Sequence, residues 1–300
     1  MKTLSLCCAG LLAATMVLSS PARASVSAQD DDGRTVTLPA PARRIISLAP
    51  HTTELLYAAG AGPRIVATVR YADYPPEAKA LPQVGDAHAL DLERIVALKP
   101  DLIVVWMHGS SARQIERLRA LKIPLFHSEA HTLEDVGEGI RRLGVLAGTE
   151  DAANAAANTY AKRVTTLRAR YSQRTPLKVF YQVWQQPLLT LNKQHLISDA
   201  IRLCGGVNVF AQQTALVPTV SPEAVLAAQP QVLVAASVGG QPDDSLALWA
   251  PFKQFEPIAR HHVVWLNTDL ISRQGPRIVD GAQQLCEGLD KVRTNLAAKP

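Results

Sequence analysis

The stretch from Thr149 to Arg174, TEDAANAAANTYAKRVTTLRARYSQR, has the pattern of one long uninterrupted helix. Apolar side chains recur along it at alternating steps of four and three residues, which places them on a single helical stripe. The stripe consists of Ala153, Ala157, Tyr160, Val164, Leu167 and Tyr171. At about 1.5 Å per residue such a helix runs roughly 35 to 40 Å, the height of a small domain.

The ends of this stretch carry helix start and stop signals. Thr149 is a good N-cap residue, and Glu150 and Asp151 place negative charge at the positive end of the helix dipole. Arginines lie near the other end, and Pro176 cannot continue the helix. Because α/β patterns lie on both sides of it, we interpret residues 149–174 as a rigid connection between two lobes. The alternative is an ordinary crossover helix inside one large sheet.

Residues 1–24 have the composition of a cleaved secretory signal peptide. Lys2 supplies a positive start, an apolar run follows, and Ala22-Arg23-Ala24 is a small-x-small cleavage site. The alternative is retention of this segment as an uncleaved membrane anchor. No other uninterrupted apolar run is long enough to span a bilayer. We therefore expect an exported protein.

Composition and motifs exclude several classes of function. The formal net charge is +5, and removal of Lys2 and Arg23 with the leader lowers it to +3, so the mature chain is only mildly basic. It has no basic stripe with interleaved aromatics, and we expect no nucleic-acid partner. It also lacks the G-x-S-x-G, P-loop and H-E-x-x-H motifs, so no catalytic residues are predicted.

Two cysteines, Cys204 and Cys286, remain after removal of the leader. In an oxidising compartment a disulfide between them is the default expectation, and it lies within the second lobe. The alternative is two buried free thiols.

An internal repeat relates two segments that lie 130 residues apart. Segment 91–105, DLERIVALKPDLIVV, and segment 221–235, SPEAVLAAQPQVLVA, each consist of a short helix, a proline turn and a buried apolar strand. The shift superposes Glu93 on Glu223. Because the flanking strands and helices follow in the same order, duplication is favoured over chance similarity.

The repeat and the long helix together predict an α/β fold of two similar lobes with a ligand cleft between them. The predicted parts are a signal peptide at 1–24, an N-terminal lead at 25–43, a first α/β lobe at 44–148, the connecting helix at 149–174 and a second α/β lobe at 175–300.

The carboxyl ends of the predicted strands carry flat apolar side chains and polar anchors. These residues are Pro50, His51, Tyr71, Trp106, Trp184, Asn267, Thr268 and Asp269, with Arg273 shortly after them. Such a set suits a large, partly aromatic ligand. The alternative is that the tryptophans belong to the core and the charged groups are solvated.

Scattered histidines leave a zinc receptor as a further alternative. They are His51, His88, His108, His127, His131 and His195. A scattered polar histidine at a strand end is more often solvated or hydrogen-bonded than metal-bound, so no metal site and no intrinsic cofactor are predicted.

Five segments together resemble a known family. They are RIISLAPHTTELLYAAG (44–60), DYPPEAKALPQVG (73–85), LERIVALKPDLIVVW (92–106), LCGGVNVF (203–210) and GPRIVDGAQQLC (275–286). From about Arg44 to Lys291 the chain is similar to the helical-spine substrate-binding proteins of ABC importers for iron-siderophores, haem and vitamin B12. The segments most resemble the periplasmic receptors for cobalamin (vitamin B12). The resemblance implies two α/β lobes held by one long helix.

The resemblance also implies roles for individual residues. Ligand-contacting side chains are expected at Pro50, Tyr71, Trp106, Asp269 and Arg273. Glu93 and Glu223 match two acidic residues, one per lobe, that meet arginines on the transmembrane permease dimer, which a cytoplasmic ATPase powers. Cys204 and Cys286 match a disulfide of the second lobe.

The chain departs from the cobalamin receptors in its aromatic residues. Ala87, Leu189 and Val217 stand where those receptors carry aromatic side chains, and Trp184 is a candidate to compensate for the same loss at Val183. The resemblance implies a monomeric periplasmic protein that captures cobalamin and delivers it to the permease. A ferric-siderophore or haem receptor is the first alternative, and an exported α/β enzyme is the second.

Overall fold

The structure is a computed structural model that describes residues 25–298. The signal peptide predicted at residues 1–24 lies outside the described residues. Within the described range, no helix combines the length and the hydropathy that crossing a membrane requires.

Twelve strands are present in the described chain, and eight of them form two four-stranded parallel sheets. The strands are β1 (Val26–Gln29), β2 (Thr35–Leu38), β3 (Ile45–Ser47), β4 (Ile65–Ala67), β5 (Leu102–Trp106), β6 (Leu125–Ser128), β7 (Leu177–Gln182), β8 (Trp184–Gln185), β9 (Leu188–Leu189), β10 (Gly206–Asn208), β11 (Val232–Ser237) and β12 (Val263–Asn267). The helices are α1 (Pro50–Ala58), α2 (Leu92–Ala97), α3 (Ala112–Ala120), α4 (Leu133–Ala147), α5 (Glu150–Tyr171), α6 (Leu196–Leu203), α7 (Pro222–Ala228), α8 (Glu256–Ala259), α9 (Thr268–Ile271) and α10 (Ile278–Ala297).

The two parallel sheets have the same topology. The strand order is β4-β3-β5-β6 in the first and β10-β7-β11-β12 in the second, and every neighbouring pair is parallel. The central strands β5 and β11 are almost continuously buried, as expected for parallel strands that are covered on both faces. The prediction of two similar α/β lobes is confirmed.

The repeated segments form equivalent helices with equivalent caps. The Asp91 side chain accepts a hydrogen bond from the backbone N–H of Arg94 at 2.9 Å and begins α2. The Ser221 hydroxyl accepts one from the N–H of Ala224 at 3.2 Å and begins α7. Both side chains satisfy an N–H group that the first turn of a helix leaves unpaired.

The long helix α5 joins the lobes, as predicted. All six residues of its apolar stripe are buried, and one continuous apolar cluster runs from the first sheet through this stripe to the second. The helix ends at Tyr171, three residues before Arg174, because the backbone N–H of Arg174 turns back to the carbonyl of Tyr171. The shared core makes α5 a structural part of both lobes.

Thr149 occupies the N-cap position of α5 but does not cap it with its side chain. Its hydroxyl instead donates to the carbonyl of Ala59, which follows α1, at 2.6 Å. The sequence pattern identified the helix start correctly, whereas the tertiary contact decided the partner of the hydroxyl group.

The N-terminal lead is a β-hairpin of β1 and β2 that packs on α4. In its turn the carboxylate of Asp31 accepts a hydrogen bond from the backbone N–H of Glu129 at 2.6 Å and pairs with Arg142 at 2.5 Å. The hairpin therefore holds the chain in place just after β6, where Glu129 lies.

Cys204 and Cys286 form the predicted disulfide. Cys204 directly follows α6 and Cys286 lies within α10, and both are fully buried. The bridge fastens the last long helix to the second sheet's flanking helix.

Candidate ligand-binding site

A cavity of about 580 Å³ lies between the lobes, and we call it the cleft cavity. Carboxyl ends of strands from both sheets supply its walls. Trp106 ends β5, Gln182 ends β7, and Thr268 directly follows β12. This position is the one expected for ligands of open parallel sheets.

A smaller cavity of about 270 Å³ adjoins the first lobe, and we call it the side cavity. Pro50, Tyr71 and Trp106 are among its lining residues. Trp106 therefore belongs to both cavities and forms their common wall. A larger cavity of about 760 Å³ lies near Lys178 and Gln231. These residues are at the amino ends of β7 and β11, whereas the cleft cavity lies at the carboxyl ends of strands.

The indole ring of Trp106 is held by an edge contact with His51. The ring centroids are 5.1 Å apart and the rings are nearly perpendicular, at 88°. The indole Nε1 and the His51 Nε2 are both buried without a hydrogen-bond partner in the part of the chain that the structure describes. Because buried polar atoms normally have hydrogen-bond partners, these two ring nitrogens are an exception to the usual pattern of a protein interior.

Burial lowers the pKa of His51 to about 3, and the charge of Arg273 acts in the same direction. The free energy of unfolding is therefore expected to fall as the pH drops below about 6.5, because the unfolded chain binds a proton that folded His51 excludes. This loss grows by about 1.4 kcal/mol per pH unit until the folded pKa is approached.

The measurement is urea unfolding of the wild type and of His51→Gln between pH 6 and about pH 4. The variant is expected to have the shallower pH dependence, by about that slope. His88→Gln, which alters an exposed histidine, is the matched control. Equal slopes for the wild type and His51→Gln would contradict the assignment.

An interlobe ion cluster consists of Glu54, Asp73, Asp269, Arg273 and Arg277. Glu54 is only 1% exposed, and Arg277 binds it with two contacts, Nε to Oε2 at 2.9 Å and Nη2 to Oε1 at 2.7 Å. Arg273 contacts Glu54 at 3.2 Å, Asp73 at 2.7 Å and Asp269 at 2.8 Å. Bidentate arginine–carboxylate pairs fix geometry, so the cluster ties α1 to the segment after α9.

The predicted ligand-contacting residues divide into two groups. Pro50, Tyr71 and Trp106 lie together around the side cavity. Asp269, Arg273 and Trp184 are not among the residues that line either cavity. The Trp184 ring is 61% exposed and its Nε1 donates to the carbonyl of Gln186 at 3.0 Å; Arg273 is engaged in the interlobe ion cluster.

The sequence reasoning missed several residues of the cleft cavity. They are Glu129, Tyr181, Gln182, His195 as a ligand contact, and Gln274. Glu129 directly follows β6 and Gln182 ends β7, so the rule that ligands bind at carboxyl ends of strands could have identified both. Glu54 and Arg277, which connect the lobes, carry no local sequence signal of their pairing.

Glu93 and Glu223 lie exposed in the first turns of α2 and α7. The Glu223 carboxylate accepts hydrogen bonds from the backbone of Glu223 itself and from the Ser221 side chain. These hydrogen bonds lower the pKa of Glu223 and keep its carboxylate charged. Between residues 25 and 298 no group of three or more histidine, cysteine or acidic side chains is placed to hold a metal ion.

Two similar lobes, one connecting helix and a cleft between strand ends define a class of two-lobed ligand receptors. A family model for periplasmic binding proteins matches residues 45–257, and the chain belongs to this family. The resemblance inferred from the five sequence segments is confirmed.

Relatives and solved structures with this fold include proteins of known ligand. The chain is 40% identical over 263 residues to the vitamin B12-binding protein of Yersinia pestis (strain Pestoides F). The matched region covers 87% of this chain and 92% of that protein. The crystal structure of the periplasmic vitamin B12 binding protein of Vibrio cholerae matches with a TM-score of 0.77 and 36% identity, over 84% of this chain and 98% of that one. A periplasmic haem-binding protein from a Roseiflexus species has a TM-score of 0.70 at 22% identity, over 83% and 98% of the two chains, and shows the shared fold alone.

Proposed function

We propose that the protein is the periplasmic receptor of an ABC importer and captures cobalamin in the cleft between its lobes. The observation that carries the proposal is the 40% identity, over most of both chains, with a vitamin B12-binding protein. The cleft supports it, since two cavities that share the Trp106 wall offer apolar surface with a few polar groups.

In this role Trp106, Tyr71 and Pro50 supply flat apolar contacts to the ligand. Tyr71 is 70% exposed, so its ring is free to cover a ligand that enters the side cavity. Asp269 and Arg273 bind polar groups of the ligand after exchanging part of their present ion pairing. Trp184 is placed to add apolar contact only from outside the two cavities.

Delivery completes the proposed function. The receptor is exported by a leader at 1–24 that is cleaved, acts as a monomer, and binds and releases its ligand without covalent chemistry. Glu93 and Glu223 dock the first lobe (44–148) and the second lobe (175–300) on a permease dimer driven by its cytoplasmic ATPase.

A haem or ferric-siderophore receptor is the alternative within the family. It is favoured by the small side chains at positions where cobalamin receptors carry aromatics. Val183 and Val217 line the cleft cavity and Ala87 lines the side cavity, so these walls offer less aromatic surface.

Calorimetric titration of the purified protein tests the two candidates directly. Cyanocobalamin is expected to bind with a measurable heat and a stoichiometry of one, whereas haemin and ferric siderophores are expected to give none. Binding of haemin or a siderophore together with no binding of cyanocobalamin would reject the proposal in favour of the alternative.

Trp106→Ala is expected to weaken cyanocobalamin binding by about 1 to 3 kcal/mol, because the ring loses the apolar area that it buries against the ligand. The same titration measures this loss. Trp265→Ala removes an equally large ring that lies outside both cavities and serves as the matched control. An unchanged affinity in Trp106→Ala would move the site elsewhere in the cleft.

A further inference from the structure

The lining of the cleft cavity includes polar side chains from both lobes. Glu129 and His108 belong to the first lobe, and His195 and Gln274 to the second. We call these four residues the polar wall. Apolar residues, Leu191 and Leu216 among them, also line the cavity.

The carboxylate of Glu129 is fixed in the polar wall. Its side chain is 6% exposed, and its Oε1 accepts a hydrogen bond from the Nε2 of Gln274 at 3.2 Å. Its Oε2 lies 2.9 Å from the Nδ1 of His108. The backbone N–H of Glu129 is held by Asp31 of the N-terminal hairpin. Both the main chain and the side chain are therefore held in one position.

Gln274 adds an acceptor without a partner. The residue is 5% exposed, and its Oε1 has no hydrogen-bond partner within residues 25–298 although the atom is buried. Leaving a buried acceptor unpaired is costly, so this atom favours an N–H donor that arrives with a ligand.

His195 supplies a donor and not a positive charge. The backbone N–H of Ile197 donates to its Nδ1 at 3.1 Å, which places the proton of the neutral ring on Nε2. Burial lowers the pKa of His195 to about 4, with His131 and His108 acting in the same direction, so the ring stays neutral above that pH. A proton on Nε2 also leaves this atom unable to coordinate a metal centre of the ligand.

The residues that line the cleft cavity, all from the described part of the chain, include no lysine and no arginine. A carboxylate on the ligand would therefore meet the like charge of Glu129 without a fixed cation to balance it, and like-charge contacts are unfavourable at buried interfaces. A primary amide carries both N–H donors and a C=O acceptor. It can pair with the acceptors of Glu129 and Gln274 and with the donor of His195.

We propose that Glu129, Gln274 and His195 form an amide-selective subsite, which accepts a neutral primary carboxamide of the ligand and rejects a carboxylate in the same place. The inference rests on the proposed function, since cobalamin carries several primary amides on its corrin ring, whereas haem carries carboxylates. Glu129 is the residue that sets this selectivity, because it holds the negative charge.

Matched ligands test the subsite in the wild-type protein. Cyanocobalamin and each of the monocarboxylic acids obtained by hydrolysing one of its side-chain amides are titrated calorimetrically at pH 8, where ordinary imidazoles are neutral. At least one acid is expected to bind about tenfold or more weakly than cyanocobalamin, since like-charge contact at an interface costs several kcal/mol. Equal binding of all the acids and cyanocobalamin would overturn the subsite.

Two variants then assign the selectivity to a residue. Glu129→Gln keeps the shape and the acceptor oxygen but removes the charge. The affinity deficit, meaning the factor by which the weakly bound acid binds less tightly than cyanocobalamin, is therefore expected to shrink to within about threefold. Gln274→Glu adds a second carboxylate and is expected to enlarge the deficit. Glu116→Gln is the matched control, because Glu116 is exposed on α3 and forms no ion pair in the described chain.

The outcomes separate the inference from the function on which it rests. An unchanged deficit in Glu129→Gln, or no increase in Gln274→Glu, would overturn the role of the polar wall while cyanocobalamin binding itself stands. If the wild-type protein binds haemin but binds neither cyanocobalamin nor any of its acids, the proposed function is rejected, and the subsite with it.

Discussion

Replacement of Glu93 and Glu223 together by alanine is expected to abolish stimulated uptake through the importer while ligand affinity and folding stay unchanged. The two carboxylates occupy equivalent, exposed positions in the first turns of α2 and α7, one in each lobe. Because the two sheets share one topology, the pair is related by the same repeat as the lobes themselves. A permease dimer has two equivalent subunits, and each can engage one carboxylate through basic residues.

The physical reason for a large effect on uptake is that charged pairs at an interface steer the encounter and fix its orientation. Neither carboxylate lines the cleft cavity or the side cavity, so ligand affinity is expected not to depend on them. Exposed charge pairs are screened by salt, and uptake by the wild type is therefore expected to decline as ionic strength rises.

The measurement is ligand uptake into proteoliposomes that contain the permease and ATPase, with calorimetry of ligand binding on the same preparations. Glu150→Ala is the matched control, since Glu150 is also an exposed acid in the first turn of a helix but lies on α5 outside the repeat. Normal uptake by the double variant at physiological salt would reject docking and leave the two glutamates as acids that complement their own helix dipoles.

Removal of the Cys204–Cys286 disulfide is expected to lower the free energy of unfolding by about 4.5 kcal/mol. The bridge closes a loop with a sequence separation of 82 residues, and the loop-entropy relation assigns roughly this amount to a loop of that length. Both cysteines are buried in the core that α5, α6 and α10 share. Breaking the bond therefore removes a constraint on the unfolded chain, while the two thiols stay buried in the folded protein.

Urea unfolding of the wild type, of the reduced wild type and of Cys204→Ala/Cys286→Ala measures this effect. The reduced wild type is the control for packing, because it keeps both sulfur atoms and loses only the bond. If chemical reduction of the disulfide lowers the unfolding free energy by less than about 1 kcal/mol, the expectation is contradicted. Two alkylatable thiols in the folded, unreduced protein would show that the bridge does not form.

The elements that sequence reasoning predicted correctly are those whose causes lie within a few residues. The stripe of α5 follows from steps of three and four residues, and the caps Asp91 and Ser221 act on N–H groups three residues away. The repeat extended this local information to the whole fold, because two copies of one α/β pattern require two copies of one sheet. The disulfide needed only the export signal and the count of cysteines.

The cleft was only partly predictable for the same reason. The rule for strand ends pointed to Trp106, which ends β5 and lines the cleft cavity, because a strand's end is a local feature. The same rule could have pointed to Glu129 as well. It could not show that Arg273 is engaged by Glu54 and Asp73 across the lobes.

By itself, the amino-acid sequence determined the two α/β lobes, the helix between them, its buried stripe and the family. Only the tertiary structure decided that the hydroxyl of Thr149 bonds to Ala59, that Arg277 binds Glu54 across 223 positions of chain, and that Gln274 meets Glu129 in one wall of the cleft. Periodicity and capping act over one or two turns of the chain, so they leave a pattern in the sequence. Contacts between the lobes depend on how two separately formed sheets are set against a shared helix, and no local pattern records that arrangement.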